Sequence, residues 1–189
     1  SACMSYLYTG TIQDRFRHFG RNSIIRWKAM NLVGLEHIIV NDNTTIGKGA
    51  QIEAWGKSNG KPKIVIGKNC QLREYIHITA IKQIIIGDDV LTGNNVLISD
   101  NSHGETDMLS MTVPPAKREI TSKGEVTIGN RVWLGNNVCV LSGVHIGEGS
   151  VIGANSVVTH DIPPFCVAAG IPAHILRKNN SSSNQADRF

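Results

Sequence analysis

The sequence predicts an all-β solenoid: a flat-sided prism in which short parallel strands stack coil on coil. Three observations predict it. First, Ile128, Leu134, Val140, Ile146, Ile152 and Val158 stand six apart without a slip, and four residues after each come Val132, Val138, Val144, Ser150, Ser156 and Ile162. A fixed short period marks a solenoid. Second, Gly129, Gly135, Gly147 and Gly153 follow lead aliphatics. A helix would need apolar residues three and four apart and would be weakened by a glycine in every turn. Six is even, so strand alternation can persist. Third, aromatic residues are only 5% of the chain, as expected where aliphatics and small residues fill a narrow interior.

Each element follows from this period. The lead aliphatic and the residue four on both face the interior. Asn69, Asn95, Asn137, Gly143, Gly149 and Asn155 fall between them and suit corners, because these residue types accept positive φ. One coil buries only a thin slice of core, so several must stack. The segment Thr11–Phe19 reads as a short helix or a loop, and Ser23–Trp27 and Glu36–Val40 as first rungs. His18 and His37 have no partner spacing and read as surface or capping residues. The repeat is clear from Ile46, and residues 56–63 (Gly-Lys-Ser-Asn-Gly-Lys-Pro-Lys) break it as an exposed loop. It restarts at Ile66, slips by two residues near Ala80–Ile84, and restarts at Ile86. From Ser99 to Glu125 it is absent, so residues 99–125 form a loop extruded from the prism. Loops this long in a compact domain are uncommon and often functional. Asp161-Ile162-Pro163-Pro164-Phe165 reads as a stop, followed by a turn and a basic segment to Lys178. The organisation is one hexapeptide-repeat domain over residues 1–178 and a polar, serine-rich disordered tail over 179–189.

Composition narrows the function. A net charge of +4 suits small anionic ligands better than nucleic acid, which needs a denser basic stripe. No apolar run approaches a membrane span, and the N-terminus does not read as a signal peptide, so a cytoplasmic protein is expected. Cys3, Cys70, Cys139 and Cys166 show no CxxC spacing and read as reduced packing thiols; Cys70 falls on an inward position.

The chemistry points to the extruded loop. It contains His103, with Asp100 three residues before it. Histidine titrates near neutrality and suits proton abstraction from an alcohol. The hexads, the loop Ile98-Ser99-Asp100-Asn101-Ser102-His103-Gly104, and the runs from Val132-Trp133-Leu134-Gly135-Asn136 through Ile152–Thr159 to Ala169-Gly170-Ile171-Pro172-Ala173 resemble the left-handed β-helix hexapeptide-repeat acetyltransferases. The likeness covers residues 40–178. It is similar to the maltose/galactoside O-acetyltransferases and, within them, to enzymes that acetylate lipopolysaccharide or capsule sugars.

That resemblance implies a left-handed coil, against the usual hand of parallel crossovers. It also implies a homotrimer with active sites between subunits and acetyl-CoA as co-substrate. His103 falls on the family's catalytic histidine; Asp100 could orient its ring, as could a backbone carbonyl. Asn136, Ala154, Thr159, His160, His174 and Arg177 fall on acetyl-CoA-binding positions, although the family often has Lys or Arg where His160 and His174 stand. Trp133 reads either as a corner shield or as a neighbour of the cofactor. Glycines and asparagines here are required by the turns in any hexapeptide prism, so their ligand contacts would come through backbone amides. Arg73, Glu74 and Tyr75 read as acceptor contacts or as plain surface.

The implied activity is transfer of acetyl to a sugar hydroxyl of a surface polysaccharide or its precursor, with no metal. The alternatives are N-acetylation of an amino-sugar nucleotide, a zinc carbonic anhydrase, and a scaffold without activity. Zinc hydration chemistry needs three converging histidines, and the seven here include no pair four or five apart.

Overall fold

The computed structural model describes residues 2–179. The chain winds as a three-faced left-handed β-prism in which each full coil gives one strand to each face. The first face stacks His18–Phe19, Ile38–Val40, Ile64–Ile66, Ile84–Ile86, Val126–Ile128 and His145–Ile146. The second runs from Ile24–Ile25 through Thr45–Ile46, Gln71–Leu72, Leu91–Thr92, Trp133–Leu134 and Val151–Ile152 to Cys166–Gly170 and Ala173–Lys178. The third stacks Asn31–Val33, Gln51–Ala54, His77–Ala80, Leu97–Ser99, Cys139–Val140 and Val157–Val158. Every pair within these sheets is parallel except the last pair of the second face.

Register turns the hexads into columns. Val40, Ile66, Ile86, Ile128 and Ile146 are successive Cα partners on the first face. Ile52, Ile78, Ile98, Val140 and Val158 do the same on the third. All ten are at most 2% exposed, and each contributes about 1.5–3 kcal/mol relative to an exposed side chain. The residues four after the leads (Val132, Val138, Val144, Ser150, Ser156 and Ile162) are buried as well.

The two-residue slip has a physical origin. First-face strands of the earlier coils carry two inward aliphatics: Ile38 and Val40, Ile64 and Ile66, Ile84 and Ile86. Ile66 and Ile86 are in register and twenty positions apart, whereas Ile128 and Ile146 are eighteen apart. The extra pair widens the prism at its N-terminal end.

Corners carry the positive-φ residues. Asn69, Asn95, Asn137 and Asn155 have φ of 56–60°, and Gly143 and Gly149 have φ of 80° and 67°. The asparagines also ladder: Asn95 donates to Asn137 at 3.1 Å, and Asn137 to Asn155 at 2.9 Å. Cys70 lies inside the prism, and burial pushes its thiol pKa up, which makes it a poor nucleophile.

Several sequence expectations change. The helix starts well before Thr11, running over Ala2–Ile12, and is followed by a 3-10 turn over Gln13–Arg15. Ile12 packs into the core, and Thr9 Oγ1 accepts the Ile25 amide. His18 opens the first face, so the prism begins earlier than Ser23. Residues 56–63 do leave the prism, but Lys63 is 7% exposed and donates through Nζ to the Ile81 carbonyl. The segment Asp161–Phe165 does not end the coil: Ile162 bridges Ile146, and Cys166–Gly170 continues the second face. The basic segment is a strand, Ala173–Lys178, folded back antiparallel. Of the expected disordered tail, Asn179 is placed, its amide donating to the Phe165 carbonyl; residues 180–189 lie outside the described residues.

Candidate active site

The extruded loop has its own structure. Its stem is a two-stranded antiparallel ribbon in which Ser102 faces Thr121 and His103 faces Ile120. Beyond it lies a short helix, Met108–Met111. Asp107 caps this helix by accepting the Leu109 and Ser110 amides, and the Ser110 hydroxyl and these amides hold its carboxyl below the usual carboxylate range. Gly104 has φ of 79°, and a Cβ there would fall 2.9 Å from the Arg118 side chain, so glycine is required where the ribbon turns. His103 is exposed on this stem. The ribbon fixes its backbone, and its ring is open to a substrate.

Asp100 has a different task from the one expected. It is fully buried. Its Oδ1 accepts the Ile81 amide and its Oδ2 the Lys82 amide, both at 2.8 Å. The Asn101 side chain adds a bond at 3.2 Å. The carboxylate therefore ties the turn of the preceding coil, and among the described residues none bonds the ring of His103. The loop root is closed by a residue the sequence reading missed. Ser142 Oγ donates to the Asp100 carbonyl at 2.7 Å and accepts the Lys123 amide at 2.9 Å. Its only sequence signal is a polar residue at the corresponding corner of the next coil.

Three of the expected cofactor residues come together. Trp133, Asn136 and Ala154 line one groove along the second face with Gly93, Gly135 and Gly153. Trp133 is 51% exposed. A Cβ on Gly135 would lie 2.6 Å from the Ala154 nitrogen, so glycine keeps the groove floor low. The Asn136 side-chain oxygen accepts the Asn94 amide at 2.8 Å, which leaves its NH₂ as the outward group. His174 and Arg177 stand exposed on the terminal strand of the same sheet, two strands beyond Val151–Ile152. Thr159 and His160 do not join them. They bond each other at 2.8 Å at the corner after the third face.

Arg73, Glu74 and Tyr75 occupy a corner and are largely engaged within the chain. Glu74 pairs with Arg73 at 3.4 Å and with Arg26 at 4.0 Å. Tyr75 has φ of 59°, and its ring covers Gly49 of the coil before, where a Cβ would lie 2.4 Å from it. Their positions are explained by packing at the corner, and no bond joins them to His103. Among the described residues no three His, Cys, Asp or Glu side chains converge as metal ligands would, and no helix is long and apolar enough to cross a membrane.

Comparison with known proteins follows this geometry. The bacterial transferase hexapeptide family (six repeats) matches residues 125–160. WbbJ of Escherichia coli (strain K12), provisionally named a lipopolysaccharide biosynthesis O-acetyl transferase, is 43% identical over 143 residues, covering 74% of this chain and 70% of that protein. A galactoside acetyltransferase solved in complex with coenzyme A is 33% identical and superposes with a TM-score of 0.56 over 78% of this chain and 70% of its own. The hexapeptide-repeat acetyltransferase VCA0836 of Vibrio cholerae O1 biovar eltor, solved with acetyl coenzyme A, is 27% identical with a TM-score of 0.61 over 89% of this chain and 75% of its own. With the hexads, the prism and these relatives in agreement, the chain belongs to the bacterial hexapeptide-repeat transferases.

Proposed function

We propose that the chain is an acetyl-CoA-dependent O-acetyltransferase acting on a sugar hydroxyl of a surface polysaccharide or its precursor. The observation that carries this reading is the 43% identity to a protein named for O-acetyl transfer in lipopolysaccharide biosynthesis. In the proposed reaction, neutral His103 takes the acceptor's hydroxyl proton as the oxygen attacks the thioester carbonyl. The tetrahedral oxyanion is held by a backbone N–H at a coil edge. The C–S bond then breaks, and the imidazolium returns its proton to the thiolate. Transfer is direct and forms no acyl-enzyme. Acetyl-CoA is the donor, so the reaction is assigned to the cytoplasm.

The donor is placed along the groove of Trp133, Asn136 and Ala154, with its phosphates toward His174 and Arg177. Thr159 and His160 stand at another corner, so they would reach a donor only from a neighbouring subunit. A homotrimer supplies one. In support, the loop exposes Met108 at 84%, Leu109 at 79% and Met111 at 61%, apolar surface of the kind an interface covers. Light scattering is expected to give about 60 kDa, three chains closed by three-fold symmetry; a monomer at micromolar concentration would overturn the shared site.

Release of CoA thiol tests the reaction itself, with free sugars, nucleotide sugars and oligosaccharide fragments as acceptors. The expected product is an ester cleaved by hydroxylamine. A product that resists hydroxylamine would instead support N-acetylation of an amino sugar. No thiol release with any of these acceptors would overturn the proposed reaction.

A further inference from the structure

A second polar constellation lies on the third face, away from the groove. The strand Gln51–Ala54 alternates, so Glu53 points outward, yet it is only 9% exposed. Its carboxylate collects donors from three successive coils. Oε1 accepts Asn31 Nδ2 at 2.8 Å from the coil before. Oε2 accepts Trp55 Nε1 at 3.3 Å and lies 3.4 Å from His77 Nε2 in the coil after. Register explains the reach: Asn31, Gln51 and His77 are Cα partners, so Glu53 meets Asn31 and His77 along the diagonals that long side chains span.

The prism does not need this cluster. In later coils the column that holds His77 becomes Leu97, Cys139 and Val157. A carboxylate drawn out of water is costly unless paired, and here side chains from three coils supply its partners. The pairing also sets the chemistry. A carboxylate only accepts, so Nε2 carries the proton toward Glu53, and in the neutral tautomer Nδ1 is then the acceptor. The Trp55 N–H is occupied, which fixes the indole edge, and the residue is 40% exposed. An exposed, anchored indole beside a few oriented polar groups suits a ligand with one apolar face and a hydroxyl rim. A pyranose ring has that form.

We infer that Asn31, Glu53, Trp55 and His77 form a saccharide-binding subsite, with Trp55 stacking on the sugar's C–H face and His77 accepting from a ring hydroxyl. The inference rests on the proposed function for its assignment to the acceptor. It replaces Arg73, Glu74 and Tyr75 as the residues expected to set acceptor preference.

Saturation-transfer NMR on the full chain tests binding without turnover. The probes are the methyl glycosides of glucose, galactose, rhamnose and N-acetylglucosamine. At least one is expected to receive saturation mainly at its ring C–H protons. Trp55→Ala and His77→Phe should each weaken that sugar about tenfold, the effect of one lost stacking or hydrogen-bonding partner, and Trp55→Phe should keep most of the affinity. CoA affinity should not change. In turnover, the acceptor KM should rise by a similar factor while kcat and the KM for acetyl-CoA hold. Absence of saturation in all four sugars, or unchanged affinity in both Trp55→Ala and His77→Phe, would overturn the subsite. If the wild type acetylates a sugar and these variants keep its acceptor KM, the subsite falls and the proposed function stands. Sugar binding without thiol release has the opposite meaning.

Discussion

His103→Ala is expected to lower kcat by about 10²–10⁴-fold, the usual worth of positioned proton transfer. The imidazole is proposed to meet the reacting hydroxyl and not the nucleotide, so the KM for acetyl-CoA should hardly move. Stability should hold too. The ring is exposed on the stem ribbon, its backbone bonds to the facing strand are independent of side-chain identity, and such substitutions usually change stability by less than about 0.5 kcal/mol. The wild-type rate should rise with pH, because only a neutral imidazole accepts the hydroxyl proton. That pH limb should vanish in the alanine variant. A variant that retains more than about a tenth of wild-type kcat would fall outside the range for a general base. The loop would then be only a cover over the donor. His103→Gln separates proton transfer from hydrogen bonding: it can hold the hydroxyl but cannot take its proton, so it should be nearly as slow as alanine.

The prism was legible because its physics is local and periodic. Each hexad states which residue faces inward, and the corner residues Asn69, Asn95, Asn137 and Asn155 name the turns by their tolerance of positive φ. Where the period lapsed, the reading failed for identifiable reasons. Ala2–Ile12 shows no sharp apolar face, and its buried residues include Ser5 and Thr9 beside Ile12, so helical periodicity could not reveal it. Pro163-Pro164 resembles a terminator, but a corner tolerates prolines as well as an end does, and Ile162 stays in the core. The candidate site was legible where it follows the repeat: Trp133, Asn136 and Ala154 share a groove because hexads eighteen residues apart stack. It was not legible where contacts cross between coils. Glu53 meeting His77, and Ser142 closing the loop root, depend on registers that no local pattern reveals. Proximity in sequence is weakest as a guide at Asp100, which is three residues from His103 but whose carboxylate bonds the Ile81 and Lys82 amides.

Asp100→Ala is therefore expected to act first on stability. The side chain is fully buried, and its two oxygens accept the Ile81 and Lys82 amides. Truncation strands both donors in the cavity it leaves. Losing hydrogen bonds to a charged acceptor and leaving buried partners unmade costs roughly 2–5 kcal/mol. For a chain of this size each kcal/mol lowers Tm by about 2–4 °C, so a drop of about 5–15 °C is expected by calorimetry. Asp100→Asn should fall between wild type and alanine, since one oxygen still serves one amide while the NH₂ opposes the other. Hydrogen exchange should speed at Ile81 and Lys82 in both variants. Activity should decline as a consequence, because Ser142 grips the Asp100 carbonyl and the Lys123 amide to close the loop that carries His103. An orienting carboxylate would behave differently: kcat would collapse and the pH profile would shift while Tm and amide exchange stayed put. That outcome would mean that the assembled enzyme turns Asp100 toward the imidazole and that the turn at Ile81 is held by something else.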